Sequence, residues 1–193
     1  YQVDTEAMKG EIFAYDDCLR VEDSEIPKEL RIYMGIDLAI SEKDSADKFA
    51  IVVIGVDKSK RYYVLYYFED QLRFGAQTAK IKEVYAAYKP IRCYIETNAY
   101  QEAQYQELKT SDPDMRITPY EQEKDKIARA WKLTYLFENK RMFFKKNMAH
   151  LISHLVLFPN HRYKDLFDAL DLAVRASKKK KRRNARSQEF GLI

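Results

Sequence analysis

Three apolar runs separated by short polar stretches fill residues 31–68. The first is Arg31-Ile-Tyr-Met-Gly-Ile-Asp-Leu-Ala-Ile40. A polar, turn-rich stretch, Ser41 to Lys48, leads to Phe49-Ala-Ile-Val-Val-Ile-Gly-Val56. A continuous apolar run of that length reads as a strand buried on both faces. Asp57 to Lys60 is a short turn, and the third run, Arg61 to Phe68, is aromatic and β-branched. Parallel neighbours need a long crossover, which these loops are too short to supply. The three runs therefore predict an antiparallel meander.

After residue 70 the period changes. Ala79, Ile81, Val84, Tyr85 and Tyr88 recur at helical spacing over residues 75–88, and Pro90 ends that helix. Residues 91–97 read as a fourth strand, and Tyr100 to Lys109 as a helix. Met115 to Tyr120 is a short strand, which Pro119 assigns to an edge or a strand end. Residues 123–139 form an amphipathic helix through Ile127, Ala130, Trp131, Leu133 and Leu136. Arg141 to Lys145 gives a further short strand, and residues 147–157 and 164–177 give two last helices parted by Pro159. The expected fold is α/β: a mixed sheet with strands 1–3 antiparallel and the later strands parallel, flanked by helices. A helical crossover returns the fourth strand parallel to the first.

Within this pattern the acids are misplaced for a simple core. Asp37 sits just past Gly35 in the first run, and Glu96 closes Ile91-Arg-Cys-Tyr-Ile-Glu96. Strand interiors disfavour Asp, and buried carboxylates need partners, for which a metal ion is one solution. A third cluster, Lys164-Asp-Leu-Phe-Asp-Ala-Leu-Asp171, lies on the last helix, where 165 and 168 share a face. Taken singly, each acid has a structural reading. Asp37 could cap a turn, Glu96 could make a strand-end salt bridge, Asp165 could be an N-cap or first-turn acid, and Asp168 and Asp171 could be surface positions. The strand order weakens these readings together, because it brings Asp37 and Glu96 side by side and lets the last helix cover them. Carboxylates in this number suit hard cations such as Mg²⁺, and two such ions about 4 Å apart can support phosphodiester cleavage.

Other features bound the chain. Hydrophobic residues make up 46% and charged residues 33%, which predicts a packed soluble core in one domain. No apolar run approaches the roughly 20 residues of a membrane span, and no signal peptide is visible. Cys18 and Cys93 are too few for a disulfide framework. His150 and His154 could share a helix face, but no Cys or Glu completes a zinc pattern beside them, so they read as partly exposed helix histidines. Residues 1–30 carry three basic and nine acidic side chains and read as a linker or docking arm. Residues 175–193 carry eight basic and one acidic, so the tail from Lys178 suits a polyanionic partner. Lys124, Lys126 and Arg129 are candidates to face phosphate. The divisions are then 1–30, a domain over 31–177, and a basic tail over 178–193.

Three motifs, Gly35-Ile-Asp37-Leu-Ala, Tyr94-Ile-Glu96-Thr-Asn-Ala and Lys164-Asp-Leu-Phe-Asp168-Ala, resemble the nuclease domain of the large terminase subunit of tailed double-stranded DNA phages. That domain belongs to the RNase H-like, RuvC-like superfamily, and the resemblance covers roughly residues 31–175. It implies a metal-dependent endonuclease that cuts double-stranded DNA during viral genome packaging, using Mg²⁺ or Mn²⁺, with two ions. Related enzymes of this fold, a junction resolvase or an RNase H, are alternatives, as is a non-catalytic nucleic-acid docking module. By resemblance Asp37 bridges the metals, Glu96 is the second acid and Asp165 the third, with Asp168 a further ligand or support. The family's late motif often carries an acid doublet where this chain has Lys164 and Asp165. The resemblance also implies an upstream ATPase motor domain, a small terminase subunit and a portal protein as partners, and the cytoplasm of the infected host cell as location. The chain begins with Tyr1 and has no Gly-x-x-x-x-Gly-Lys-Ser/Thr loop, which agrees with a nuclease piece of a longer protein.

Overall fold

In the computed structural model the apolar run at residues 49–56 is the middle of a seven-stranded sheet. The structure describes residues 12–38, 48–96, 102–121, 125–162 and 164–178. In chain order the elements are β1 (Leu19–Val21), β2 (Arg31–Asp37), β3 (Phe49–Val56), β4 (Tyr62–Asp70), α1 (Phe74–Tyr88), β5 (Arg92–Glu96), α2 (Glu102–Ser111), β6 (Ile117–Tyr120), α3 (Lys126–Glu138), β7 (Met142–Lys145), α4 (Ala149–Val156) and α5 (Asp165–Ser177). The strand order is β1-β7-β4-β3-β2-β5-β6. The meander β2-β3-β4 is antiparallel, as its short loops require. The crossover through α1 returns β5 parallel to β2, and β6 lies parallel to β5 at the sheet edge, where Pro119 costs no ladder bond.

The two faces of the sheet bury separate cores. Met34, Ile36, Ile51, Val53, Cys93 and Ile95 pack with Ile81 and Val84 of α1 and Leu108 of α2. Tyr33, Ala50, Val52, Ile54 and Tyr94 pack with α3, α4 and α5 on the other face. Strand alternation therefore sends Gly35, Asp37 and Glu96 to the α5 side, with Tyr33 and Tyr94. Gly35 is what lets α5 lie there. A Cβ built on it falls 2.0 Å from the carbonyl oxygen of Ala169 and 2.4 Å from the backbone nitrogen of Ala173. Only a residue without a side chain permits that approach, and it sets the height of α5 above the strand ends.

A second local feature aims β4. The register with β3 slips between Val53 and Ile54, so that Tyr66 pairs with Val53 and Val64 with Ile54. The extra residue is Leu65. A bulge of this kind reverses the facing of all residues beyond it. Tyr62 and Val64 before it, and Tyr67 after it, thus share the α5 side, while Tyr66 and Phe68 turn to the other. Glu69 continues the Tyr67 parity.

Some expectations change. Within the arm expected over residues 1–30, the described part, residues 12–30, packs onto the body. Phe13 and Cys18 are buried, and β1 pairs parallel with β7. Phe13 lies among Phe137, Phe158 and Phe167. The inward face of α3 is also rotated from the expected one. Ile127 and Trp131 are exposed, and the buried residues are Arg129, Ala130, Leu133, Thr134, Leu136 and Phe137. Arg129 takes an inward position because Asp168 and Asp171 wait there, so it does not face solvent phosphate. Lys124, the loop over 41–47 and the tail beyond Lys178 lie outside the described residues. Among the described residues no helix is long and apolar enough to cross a membrane, and both cysteines are free and buried.

Candidate metal and nuclease site

Two strand ends and one helix start meet on the α5 side of the sheet. Asp37 ends β2 and Glu96 ends β5. Ile36 pairs with Ile95, so the residue that follows each puts Asp37 next to Glu96. Asp165 opens α5 and Asp168 follows one turn on. Asp165 is a first-turn acid, with Lys164 at the cap position. There it also complements the helix dipole.

The four acids do not share one electrostatic fate. Burial, then the charges of Asp168, Glu96 and Asp165, hold the Asp37 carboxyl well above the usual range, and a hydrogen bond with Glu96 adds to this. Two carboxyl groups can hydrogen-bond only if one carries a proton. Asp165 is pushed up to about 6, chiefly by burial, with Glu69 and Asp168 adding and Lys126 opposing.

Asp168 is in a different situation. It is almost wholly buried, yet Lys126 Nζ donates to its Oδ2 and Arg129 Nη2 donates to its Oδ1 at 2.6 Å. Arg129 Nη1 reaches Asp171 Oδ2 at 3.0 Å, and Arg175 Nε donates to the same oxygen at 2.8 Å. Asp125 starts α3 by accepting from Ala128 N at 2.9 Å, which fixes Lys126 and Arg129 over α5. Burial alone would lower Lys126 and Arg129, but Asp168 outweighs it and both are raised. Asp168 and Asp171 are therefore buried ion-pair members, not surface positions.

Sequence reasoning did not find this α3–α5 seam, although a signal existed. Arg129 precedes Leu133 by four residues and so shares its inward face. It also missed Glu69, which joins the acid field at Asp165. Nothing in the alternation of residues 61–68 announces the Leu65 bulge that aims Glu69 inward.

The arrangement places Asp37 and Glu96 in contact and Asp165 within their field, under a helix fixed by Gly35. Residues 34–181 match the family model of the terminase RNase H-like domain. This chain belongs to that family. Solved large terminase nuclease domains share its fold. The nuclease of thermophilic phage G20c aligns with a TM-score of 0.66 at 14% identity, over 86% of this chain and 98% of that one. The same nuclease with bound magnesium gives 0.67 at 14% identity, over 86% and 97%. The P22 large terminase nuclease domain gives 0.64 at 14% identity, over 86% and 92%. Against the large terminase of thermophilic bacteriophage D6E the match covers 86% of this chain but 44% of the longer one. No curated protein matches at the sequence level. The terminase domain thus has an RNase H-like mixed sheet with these acids on its α5 side.

Proposed function

We propose that this terminase domain is a metal-dependent endonuclease that cuts double-stranded DNA during genome packaging in the infected cell. The observation that carries the reading is Asp37, a buried carboxylate whose strongest neighbours are other acids. Such a site fits a divalent cation: its donors are hard oxygens, and its negative charge is held in place by the fold.

Asp37, Glu96 and Asp165 would hold Mg²⁺ or Mn²⁺, as a pair of ions. When bound, the ions supply activation of a water and stabilisation of the leaving oxygen. The chain's own residues do the positioning. Asp37 and Glu96 are fixed by ladder bonds on both sides of β2 and by the parallel β5. Asp165 is fixed by the seating of α5 on Gly35. Asp168, with its oxygens engaged by Lys126 and Arg129, holds Lys126 at the rim and is not a principal ligand. The Lys126 side chain is partly exposed and presents its charge to a DNA phosphate.

Residues 31–177 are taken as the catalytic unit, with an ATPase motor upstream and the small subunit and portal protein as partners in packaging. The basic residues of the tail to Arg186 add phosphate contacts without sequence information. Lys178 accepts from Arg92 through its carbonyl, so the deletion that tests this spares it and removes 179–193. DNA binding should weaken alike on unrelated sequences, and the slope of log K against log salt should fall by about 0.9 per lost contact.

Plasmid cleavage tests the function. Mg²⁺ or Mn²⁺ should support cutting, Ca²⁺ little, and EDTA none. Asp37→Asn should lower the rate more than about a hundredfold, since even outer partners of a metal ligand are worth 10–100-fold. Undiminished cutting in EDTA would remove the metal mechanism, and a wild-type rate in Asp37→Asn would remove the site.

A further inference from the structure

Glu69 stands in the same row of the sheet as Asp37, one strand further on. Asp37 pairs with Ala50, and Ala50 pairs with Glu69. Past Ala50 the chemistry changes from oxygen to nitrogen. His154 Nδ1 lies 3.6 Å from Glu69 Oε1, and His150 Nε2 lies 3.6 Å from Glu69 Oε2. One ligand atom from each of Glu69, His150 and His154 falls within 4.8 Å of the others. The two histidines are one turn apart on α4, with ring centroids at 4.3 Å, and the tilted His161 ring lies 3.8 Å from that of His154. The bulge at Leu65 and the seating of α4 thus bring together a group that the spacing of the two histidines alone did not suggest.

A second observation points to a ligand. The Glu69 side chain is 2% exposed and that of His154 5%. Among the described residues, Glu69 Oε1 and His154 Nδ1 have no hydrogen-bond partner. A buried acceptor or imidazole nitrogen left without a partner keeps its full desolvation cost. The two atoms face each other at 3.6 Å, and a cation bound by both would satisfy them. The other Glu69 oxygen, Oε2, accepts from Lys48 Nζ at 2.9 Å, which leaves Oε1 for the cation. A neutral imidazole has a lone pair to give a metal. His150 is largely exposed, so the site opens to solvent on its side.

We propose that Glu69, His150 and His154 form a second metal site, distinct from the carboxylate row, that takes a borderline divalent ion such as Zn²⁺. Two imidazoles and one carboxylate with an open position suit Zn²⁺, whereas Mg²⁺ wants oxygen alone. The ion ties α4 to β4 across the face that also carries the acids. The site stands whether or not the carboxylate row cuts DNA.

Calorimetric titration with Zn²⁺, on protein without a histidine tag, tests it. The titration uses the chain in an Asp37→Asn, Glu96→Gln background, so that the carboxylate row contributes little. One Zn²⁺ per chain should bind there, and excess Mg²⁺ should not displace it. Adding His150→Ala or His154→Ala should weaken binding about 100-fold or more, the upper end of what supporting residues alone are worth. His150 is exposed, so its variant folds even if that of His154 does not. Co²⁺ in place of Zn²⁺ should give visible absorption that both histidine variants lose. Zn²⁺ binding unchanged by His150→Ala, or absent from the Asp37→Asn, Glu96→Gln background, would overturn the proposal.

Discussion

Asp37 and Asp168 face each other across the α5–sheet interface, and both are buried. One is surrounded chiefly by acids, and the other is gripped by Lys126 and Arg129. A buried carboxylate with cationic partners is a completed structure. A buried carboxylate with acidic neighbours is incomplete, and the fold bears its cost because α5 and β5 are held in place by other means. That difference separates architecture from function more sharply than burial or strand position does.

Substitutions should split the two acids by sign. Arg129→Met leaves Asp168 and Asp171 short of a cation in the interior, and should cost about 3–5 kcal/mol in urea unfolding. Asp37→Asn, with no metal added, should instead stabilise by about 1 kcal/mol, because a neutral amide escapes the cost of holding a carboxyl buried among other acids. On a domain of this size that is roughly 2–4 °C in melting temperature. Equal losses from both variants would erase the distinction.

Gly35→Ala sharpens the comparison from the side of packing. Its Cβ would meet the Ala169 carbonyl and must push α5 off β2. A loss of about 3 kcal/mol is expected, at the upper end for overpacking. The displaced helix should also lower metal affinity, because Asp165 and Asp37 move apart. A variant with wild-type stability would mean that α5 is not held by this contact.

Asp165 gives the smallest effect and a defined pH window. Its carboxyl sits at about 6 in the fold, against about 3.9 in an unfolded chain. The folded state holds the proton longer, so this contribution to stability is fully present below about pH 4 and is lost as pH rises through 6. Asp165→Asn lacks it. In metal-free melts, wild type should lose stability relative to Asp165→Asn between about pH 4 and 6, and added Mn²⁺ should restore it. A difference that stays flat across that range would contradict the assigned field.

Much of this was legible in sequence. The runs at 31–40, 49–56 and 61–68 locate the meander, and a helix between two apolar runs makes β5 parallel to β2. Those facts alone bring Asp37 beside Glu96. The rest depended on distant partners. The α3 hydrophobic pattern points to Trp131 as readily as to Leu133, and only the buried acids of α5 decide in favour of the face that carries Arg129. Strict alternation beyond Phe68 would face Glu69 away from Val64. The Leu65 bulge reverses it, and no local residue in an aromatic run signals that slip. β1 was missed because three residues with an alternating partner in β7 carry too little periodicity to stand out.

The central claim is that the acids at the ends of β2 and β5 and the start of α5 form one cation site. Anomalous scattering from a crystal soaked in Mn²⁺ measures this directly. Density is expected between Asp37, Glu96 and Asp165, with Lys126 and Arg129 still on Asp168. Manganese absent from Asp37, or Asp37 neutralised by a lysine or arginine in its place, would contradict the account.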